Sequence, residues 1–528
     1  MSRNHNLGQF QAPVDAALAD MAQRRLLERM WKKDYRVWKP TQVEITNRLG
    51  WLTVAEQMQE RVGVLKHFAQ SVRDAGFRYV VVLGMGGSSL GPEVLRQTFG
   101  ASRGFLKPFV LDSTVPGAVR DVHDSIDPVR TLFIVSSKSG GTIEVMSLFA
   151  YFWDVVARAR GGSGGNQFIS ITDPDTSLGT LAHDRGFRTT FLNPPDIGGR
   201  YSVLSYFGLV PAALMGVNVE RLLERAVDMT RLCGPTVATQ QNPAAFLGAV
   251  MGVLGQAGHD KVTLIASPKI QSFGLWAEQL LAESTGKEGN GLIPVAQEPM
   301  VPPSAYGQDR LFIALRLDGD ANKNIDRHVA ALKRAGYPVV QLRLRDRFDL
   351  GAEFFRWEFA TAIAGHALRI HPFDQPNVQE SKDNTKRILE QFQREGHLPD
   401  IKSTVHWKNC ARRSSGRLPR RLGLSTAVSE DRCGAEGISK TYGHALSHCH
   451  HGGVWAAIPA FDRTITQGWA KRRRVSRIDG ATLTRCQDSR CSVYLRHSGA
   501  SPGGGRRAVA TGARASCRSP GFGQAAGS

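Results

Sequence analysis

Gln279 and Glu283, four residues apart, are the side chains in this sequence whose types and spacing most suggest chemistry. They lie in the stretch WAEQLLAESTGKEG (276–289), whose apolar positions predict a helix, so both project from one helix face. Glu283 comes just before Ser-Thr-Gly, where that helix should end. A carboxylate there could serve as a general base. Taken alone, a glutamate at a helix end is more often structural.

Two further segments carry groups that suit an oxygen-rich ligand. Arg200 follows two glycines in NPPDIGGRYS (193–202), and its fixed fork of donors could hold an anion or the negative oxygen of an enediolate. FDQPNVQESK (373–382) places Gln375 and Lys382 seven residues apart, so that they could share a face over two helical turns. By themselves, a loop arginine in a surface ion pair and a surface helix lysine are the commoner explanations.

The stretch FIVSSKSGGT (133–142) has the composition of an anion-binding turn. Its apolar run predicts a buried strand that leads into a loop of small hydroxyls and glycines and then into a helix. Such a turn directs backbone N–H groups, a helix dipole and hydroxyls towards one point, which suits a phosphate monoester. An ordinary strand–helix turn is the alternative for this stretch taken alone.

A second glycine-rich turn, GMGGSS (84–89), also stands between a predicted strand and a predicted helix. The spacing of a dinucleotide-binding fingerprint is not met, because Ser89 occupies the place of its third glycine. No acidic residue clearly stands where a ribose would need it. A sugar-phosphate pocket shared with the 133–142 stretch is therefore the preferred interpretation.

These turns belong to a repeating pattern of strands and helices. Continuous apolar runs, each followed by helical sequence, predict parallel strands buried on both faces. We therefore predict an α/β fold with two doubly wound parallel sheets in three layers (αβα). The predicted divisions are a helical segment at 1–75, one α/β domain at 76–218, a second at 219–400, and a tail at 401–528.

Composition and charge bound the possible functions. The net charge is +20, but residues 409–528 carry 20 Lys and Arg against 6 Asp and Glu, so the basic character belongs mostly to the tail. Cys233 is the only cysteine before residue 410, which fits a reducing compartment. With no apolar run long enough to span a bilayer and no secretory pattern, we expect a cytoplasmic protein without a membrane partner. The tail lacks the interleaved aromatics of a nucleic-acid site, so no specific nucleic-acid partner is expected.

Taken together and in this order, GMGGSSLGP, SSKSGGT, GGRYS, QLLAESTGK and FDQPNVQESK closely resemble the glucose-6-phosphate isomerase family. WKPTQVEITNRLGWL (38–52) is most similar to the isomerase portion of transaldolase–isomerase fusions. The resemblance covers about residues 25–400. It implies two sugar-isomerase (SIS) domains and the interconversion of glucose 6-phosphate and fructose 6-phosphate, a step of glycolysis and gluconeogenesis.

The resemblance also assigns roles to matching positions. It implies that Glu283 is the catalytic base, with Gln279 one turn before it, and that Arg200 lies near the enediolate. Lys382 is implied to assist at the sugar oxygens, paired with the substrate-binding Gln375. The remaining substrate-binding positions are Gly87, Ser88, Ser137, Lys138, Ser139 and Thr142.

The implied chemistry is a proton transfer through a cis-enediol, for which no metal and no cofactor is expected. A homodimer is expected from the resemblance alone. A non-catalytic SIS module that senses sugar phosphates is the alternative, although a sensor would not need the Glu283 base.

The tail does not follow the family pattern. Its loss of periodicity predicts a disordered segment, and back-translation of residues 453–478 one base out of frame can yield a family-like sequence. We interpret the tail as the product of a shifted reading frame that begins near residues 400–410. The family's ring-opening histidine then has no in-frame match, and His328 and His366 are interpreted as structural. A zinc site in HALSHCHH (444–451) is disfavoured because its spacing matches no structural zinc pattern.

Overall fold

The computed structural model describes residues 5–162 and 164–397, together with two short strands further along the chain. The described part opens with helices where the sequence predicts them. These are α1 (Gln11–Gln23), α2 (Leu26–Trp31), α3 (Trp51–Gln59) and α4 (Val62–Asp74). Their apolar stripes are buried, as the helical spacing of apolar residues requires.

A five-stranded parallel sheet follows, in the order β2-β1-β3-β4-β5. Its strands are β1 (Tyr79–Gly84), β2 (Lys107–Leu111), β3 (Thr131–Ser136), β4 (Phe168–Thr172) and β5 (Thr189–Leu192). The crossover helices are α5 (Gly87–Phe99), α6 (Pro116–His123), α7 (Ile143–Arg160) and α8 (Ser177–Asp184). The strand order reverses between β1 and β3.

This first sheet is covered on both faces, which explains the continuous apolar runs of its strands. Alternate residues of β1 enter different clusters: Val80 and Val82 pack with the α5 side, whereas Val81 and Leu83 pack with the α7 side. The predicted three-layer arrangement is confirmed here.

Three helices lead to the second sheet: α9 (Tyr206–Leu214), α10 (Val219–Leu232) and α11 (Pro243–Gln256). The sheet has the order β7-β6-β8-β9 and is also parallel throughout. Its strands are β6 (Lys261–Ala266), β7 (Ile293–Ala296), β8 (Arg310–Leu317) and β9 (Val339–Leu344). The helices after β6, β8 and β9 are α12 (Phe273–Thr285), α13 (Lys323–Arg334) and α14 (Leu350–Ala367), and α15 (Pro376–Glu395) follows.

The second sheet is also layered. Phe312 and Ala314 of β8 pack with α13, whereas Leu311, Ile313 and Leu315 pack in the cluster that contains α12 and α14. The strands therefore alternate between two helical layers, and the predicted doubly wound fold with two parallel sheets is confirmed.

The two sheets fall within the predicted divisions 76–218 and 219–400, while the boundaries themselves stay a prediction. Of the predicted tail, only β10 (Ala481–Leu483) and β11 (Leu495–His497) are described, and they pair antiparallel with each other. The frameshift, disorder and zinc interpretations concern residues that otherwise lie outside the described part. No helix among the described residues is long and apolar enough to cross a membrane.

Candidate functional site

The point where the first sheet reverses its strand order brings its two glycine-rich loops together. In doubly wound sheets, ligands bind outside the carboxyl ends of the strands at such a point. Gly84 ends β1 directly beside Ser136, which ends β3, and the Ser136 hydroxyl donates to the carbonyl of Ser88 at 3.4 Å. Ser88 itself is buried at the start of α5. The loops after β1 and β3 therefore share one edge.

The loop after β3 has a geometry that suits an anion. The hydroxyls of Ser137 and Thr142 hydrogen-bond across the loop at 3.0 Å. Gly140 has a φ of +71°, which favours glycine. Among the described residues, the amides of Lys138, Ser139, Gly141 and Thr142 donate to no carbonyl or side chain. These amides precede the N-terminus of α7, where the helix dipole favours negative charge.

The side chain of Lys138 is engaged elsewhere. Its ammonium forms an ion pair with Asp173, which follows β4, and it donates to the carbonyl of Pro195 at 3.4 Å. Burial raises the pKa of Asp173, and the Lys138 cation opposes that shift. Lys138 thus offers a ligand its backbone amide, while its charge holds the β3 and β4 loops together. Ser139, beside it, is exposed.

The loop after β1 connects this edge to the residues proposed for chemistry. Gly86 has a φ of +54°, and a Cβ there would lie 2.6 Å from Nε2 of Gln279. A Cβ at Gly87 would lie 2.0 Å from the carbonyl oxygen of Gly199 and 2.9 Å from the amide nitrogen of Arg200. The two glycines therefore allow the α5 N-terminus to touch both α12 and the Arg200 turn.

At that contact the structure brings Gln279, Glu283 and Arg200 together. Nε2 of Gln279 donates to Oε1 of Glu283 at 2.9 Å, one helical turn apart on α12. Nη1 of Arg200 lies 3.7 Å from Oε2 of Glu283. The Arg200 side chain is 2% exposed, whereas that of Glu283 is 29% exposed. The carboxylate therefore reaches solvent while a buried cation stands beside it.

The other nitrogens of Arg200 are held by the protein. Nε donates to the hydroxyl of Ser284 at 2.7 Å, and Nη2 donates to the carbonyls of Pro372 and Asp374 at 2.8 and 2.9 Å. Within the described part of the chain, only Nη1 has no such acceptor, and it faces Glu283. The guanidinium is thus fixed with one donor edge directed at the carboxylate.

The N-terminal helices support the turn that carries Arg200. The indole of Trp51 stacks on the ring of Tyr201 with centroids 5.4 Å apart. The Gly50 amide donates to the carbonyl of Asp196 at 2.8 Å. Burial raises the pKa of Tyr201 to about 12, so this phenol remains neutral, and its hydroxyl lies 3.3 Å from that of Ser284.

Three polar residues next to this site were not singled out from the sequence: Lys287, His371 and Asp374. Nζ of Lys287 donates to the carbonyls of His371 and Asp374 at 2.7 and 2.6 Å and forms an ion pair with the Asp374 carboxylate. Lys287 and Asp374 lie inside the quoted motifs QLLAESTGK and FDQPNVQESK. The motifs themselves were therefore the signal, whereas the residue type gave none, because lysine is rarely buried.

Both ring nitrogens of His371 lie within hydrogen-bond distance of backbone groups. Nε2 contacts the carbonyl of Val43 at 2.9 Å, and Nδ1 lies 3.1 and 3.2 Å from the amides of Phe373 and Asp374. Burial lowers its pKa, so the ring is neutral. His328 and His366 contact the hydroxyl of Tyr306 and the carbonyl of Val37.

Gln375 and Lys382 are not brought into this cluster by any described contact. Gln375 is the exposed residue that precedes α15, and its carbonyl accepts from the amides of Val378 and Gln379. Lys382 is exposed on α15, a helix with no buried residue. The side-chain hydrogen bonds described for α15 join residues of that helix. Nowhere in the described ranges do three His, Cys, Asp or Glu side chains cluster as a metal site would require.

Two parallel, doubly wound sheets whose helices α5 and α12 meet at a Gln–Glu–Arg cluster define an α/β protein with two paired three-layer units. A glucose-6-phosphate isomerase structure from Chlamydia trachomatis shares this fold with a TM-score of 0.64 at 18% identity, covering 75% of this chain and 89% of that one.

Sequence comparisons identify the family. Residues 44–292 match the family model of phosphoglucose isomerase. The glucose-6-phosphate isomerase of Rubrobacter xylanophilus is 30% identical over 363 residues, which are 60% of this chain and 83% of that protein. That of Carboxydothermus hydrogenoformans is 28% identical over 397 residues, covering 65% and 85%. The chain belongs to the phosphoglucose isomerase family.

Proposed function

We propose that this chain is an aldose–ketose isomerase that interconverts glucose 6-phosphate and fructose 6-phosphate. The observation that carries the proposal is the Glu283 carboxylate, which reaches solvent between the amide of Gln279 and the Nη1 edge of a buried Arg200. A sensor of sugar phosphates would need the phosphate loops but not this arrangement of a base beside a fixed cation.

In the proposed reaction, Glu283 takes the proton from C2 of the open-chain aldose and the electrons of that bond form the C1–C2 double bond. The C1–O1 π pair moves onto O1, which takes up a proton to give the cis-enediol. The carboxyl then returns its proton to C1, while the O2 hydroxyl releases a proton and C2–O2 becomes the carbonyl of the ketose, so there is no net proton change. Gln279 orients the carboxylate, and Arg200 stabilises the charge on the oxygens, where a fixed donor contributes most.

The phosphate would bind at the loop of residues 137–142 and at the N-terminus of α5, away from the reacting carbons. We propose Gly87, Ser88, Ser137, Lys138, Ser139 and Thr142 as this binding set, with Lys138 acting through its amide. Binding at a remote group positions C1 and C2 against Glu283 and so lowers the barrier.

Gln375 and Lys382 are proposed to approach the sugar from α15. Because Arg200 holds the carbonyl of Asp374, the start of that helix is tied to the site. Lys382 would assist at the sugar oxygens during ring opening.

The proposal is tested by measuring glucose 6-phosphate formation from fructose 6-phosphate in a coupled assay with the full chain. Glu283→Gln should lower kcat by about 10³-fold, within the range for a lost general base. The exposed Glu56→Gln on α3 is the matched control and should retain full activity. Saturable binding of fructose 6-phosphate without turnover in the unaltered chain would favour the sensor instead.

We further propose that the chain divides functionally into residues 1–75, 76–218 and 219–400. We also propose that it acts as a homodimer. Its proposed location is the cytoplasm, with neither a specific nucleic-acid partner nor a membrane partner. Family membership supports the dimer, and the single cysteine before residue 410 supports a reducing compartment. Light scattering during gel filtration tests the dimer, since a monomeric mass would contradict it.

A further inference from the structure

The carbonyl oxygens of the turn His371–Asp374, which precedes α15, accept hydrogen bonds from two buried cations. The carbonyl of His371 accepts from Lys287, that of Pro372 accepts from Arg200, and that of Asp374 accepts from both cations. Two buried side chains from different parts of the fold therefore help to hold one short turn, beside the contacts that the His371 ring makes.

Lysine is an unusual residue type for a buried side chain that holds a turn. The Lys287 side chain is 4% exposed, yet all of its described polar contacts are made to the His371–Asp374 turn. A buried ammonium is costly unless acceptors surround it, and here two carbonyls and one carboxylate do so. The turn follows Lys287 by more than 80 residues, so the contact is a tertiary one.

The shared Asp374 carbonyl links Lys287 to the proposed chemistry. Nη1 of Arg200 is held towards Glu283 by the Nη2 bonds to the carbonyls of Pro372 and Asp374 and by the Nε bond to Ser284. If the turn moved, the guanidinium would keep only the Ser284 hydroxyl and could swing about that bond. Lys287 therefore acts on Glu283 through the turn and through Arg200.

We propose that Lys287, in its charged form, is a positioning residue for the isomerase reaction: it holds the His371–Asp374 turn and thereby fixes Arg200 against Glu283. This role rests on the proposed function. It concerns the ammonium of Lys287 rather than direct contact with substrate.

The surrounding charges decide when that ammonium is present. Burial and then the Arg200 cation lower the pKa of Lys287 to about 8, while Asp374 and Glu283 oppose the shift. The neutral His371 also faces it from the turn. Activity should therefore fall as the pH rises through about 8.

The expected activity falls with rising pH, whereas the contribution of Lys287 to folding stability changes in the opposite direction. Between pH 8 and 10.5 the unfolded chain keeps a proton on Lys287 that the folded chain has released, so this group's contribution to folding stability rises with pH. A loss of kcat near pH 8 without a loss of Tm would separate positioning from stability.

The test is a pH profile of kcat for the full chain and for Asp374→Asn, which keeps the turn's carbonyls but removes the carboxylate that favours charged Lys287. The alkaline limb should move to lower pH by about 1 unit. Asp309→Asn is the matched control, because Asp309 pairs at 2.6 Å with Lys261, another buried lysine, in β6. This control should leave the limb in place.

Lys287→Met supplies a second measurement. It should lower kcat at least about 10-fold with little change in the KM for fructose 6-phosphate, and the limb near pH 8 should disappear. Turnover with a limb that does not move in Asp374→Asn would overturn the role of Lys287 alone. No turnover by the unaltered chain would overturn the proposed function and this role with it.

Discussion

The two sheets of this protein share the order of their first four strands but differ at their carboxyl edges. Both place their first strand between the second and the third, as β2-β1-β3 and β7-β6-β8. At the first edge, the β1 and β3 loops leave amides without acceptors among the described residues. The equivalent edge of the second sheet is filled by its own side chains.

Polar groups at the second edge satisfy one another. The Ser267 hydroxyl accepts from the amide of Leu317 at 2.8 Å and donates to Asn322, whose amide donates to the carbonyl of Leu317 at 2.6 Å. The Asp320 carboxylate accepts from the amide of Lys269 at 2.8 Å. The carboxylates at this edge are also paired with cations, Asp320 with Lys269 and Asp318 with Arg316 and Arg343, so its polar groups are already occupied.

The difference shows that topology marks where a ligand can bind, while loop composition decides whether it does. The helices after the first strand of each sheet, α5 and α12, have equivalent positions and meet each other: Gly86 packs on Gln279, and the Ser272 hydroxyl donates to the carbonyl of Val94 at 3.4 Å. Helix α5 begins after the β1 loop, beside the proposed phosphate loop 137–142, and α12 carries the proposed base Glu283. In the proposed reaction, the first sheet would therefore bind the phosphate, and α12 of the second would supply the base.

Among the variants that compare the two sheets, Gly87→Ala should have the largest effect on activity. The new Cβ would lie 2.0 Å from the Gly199 carbonyl oxygen. Backbone would have to move, and Arg200 with it, so kcat/KM should fall by about 100-fold or more. Gly117→Ala on α6, where a Cβ meets nothing within 4 Å, is the control. Equal activity of the two variants would show that the close contact between Gly87 and the Arg200 turn is not needed for catalysis.

Ser137→Ala tests the binding edge. Loss of a hydroxyl from the phosphate loop should raise the KM for fructose 6-phosphate about 10-fold, equivalent to about 1.4 kcal/mol, with a smaller change in kcat. Steady-state kinetics checks this prediction. A variant whose kcat falls while KM stays constant would assign the loop to chemistry rather than binding.

Ser267→Ala is the corresponding change at the carboxyl edge of the second sheet. It leaves the Leu317 amide and the Asn322 side chain without this partner, so the free energy of unfolding should fall by about 1–3 kcal/mol. Urea denaturation measures that loss, and the KM should not change. An increased KM would mean that the second edge also receives ligand.

The smallest effect is expected at Glu358 on α14, whose two carboxyl oxygens are buried and have no hydrogen-bond partner among the described residues. Burial raises its pKa well above the ordinary value. The unfolded chain therefore loses this proton at lower pH than the folded chain does, so the stability contribution falls as the pH rises above about 4.5.

Glu358→Gln removes that dependence. Its Tm advantage over the unaltered chain should grow from pH 5 to pH 8 and reach about 2 °C. Calorimetry over this range checks it, with the exposed Glu56→Gln as the control. A constant difference in Tm would show that Glu358 ionises alike in both states.

Much of this arrangement follows from the sequence because it is local. Continuous apolar runs predicted both doubly wound sheets, and the four-residue spacing placed Gln279 and Glu283 on one face, where they hydrogen-bond. The role of Lys287 could not be predicted, because its acceptors belong to a turn far along the chain. Nor does spacing reveal that Lys138 is paired with Asp173. The exposed position of Lys382 on α15 is the commoner explanation that the sequence had left open.

In the proposed reaction, Glu283 moves a proton between two carbons of one sugar phosphate. Incubating the full chain with fructose 6-phosphate in D₂O and following the C1 protons by NMR tests this directly. We expect deuterium to enter C1 with the unaltered chain and with Glu56→Gln, but not measurably with Glu283→Gln. Undiminished exchange in Glu283→Gln would rule out Glu283 as the base.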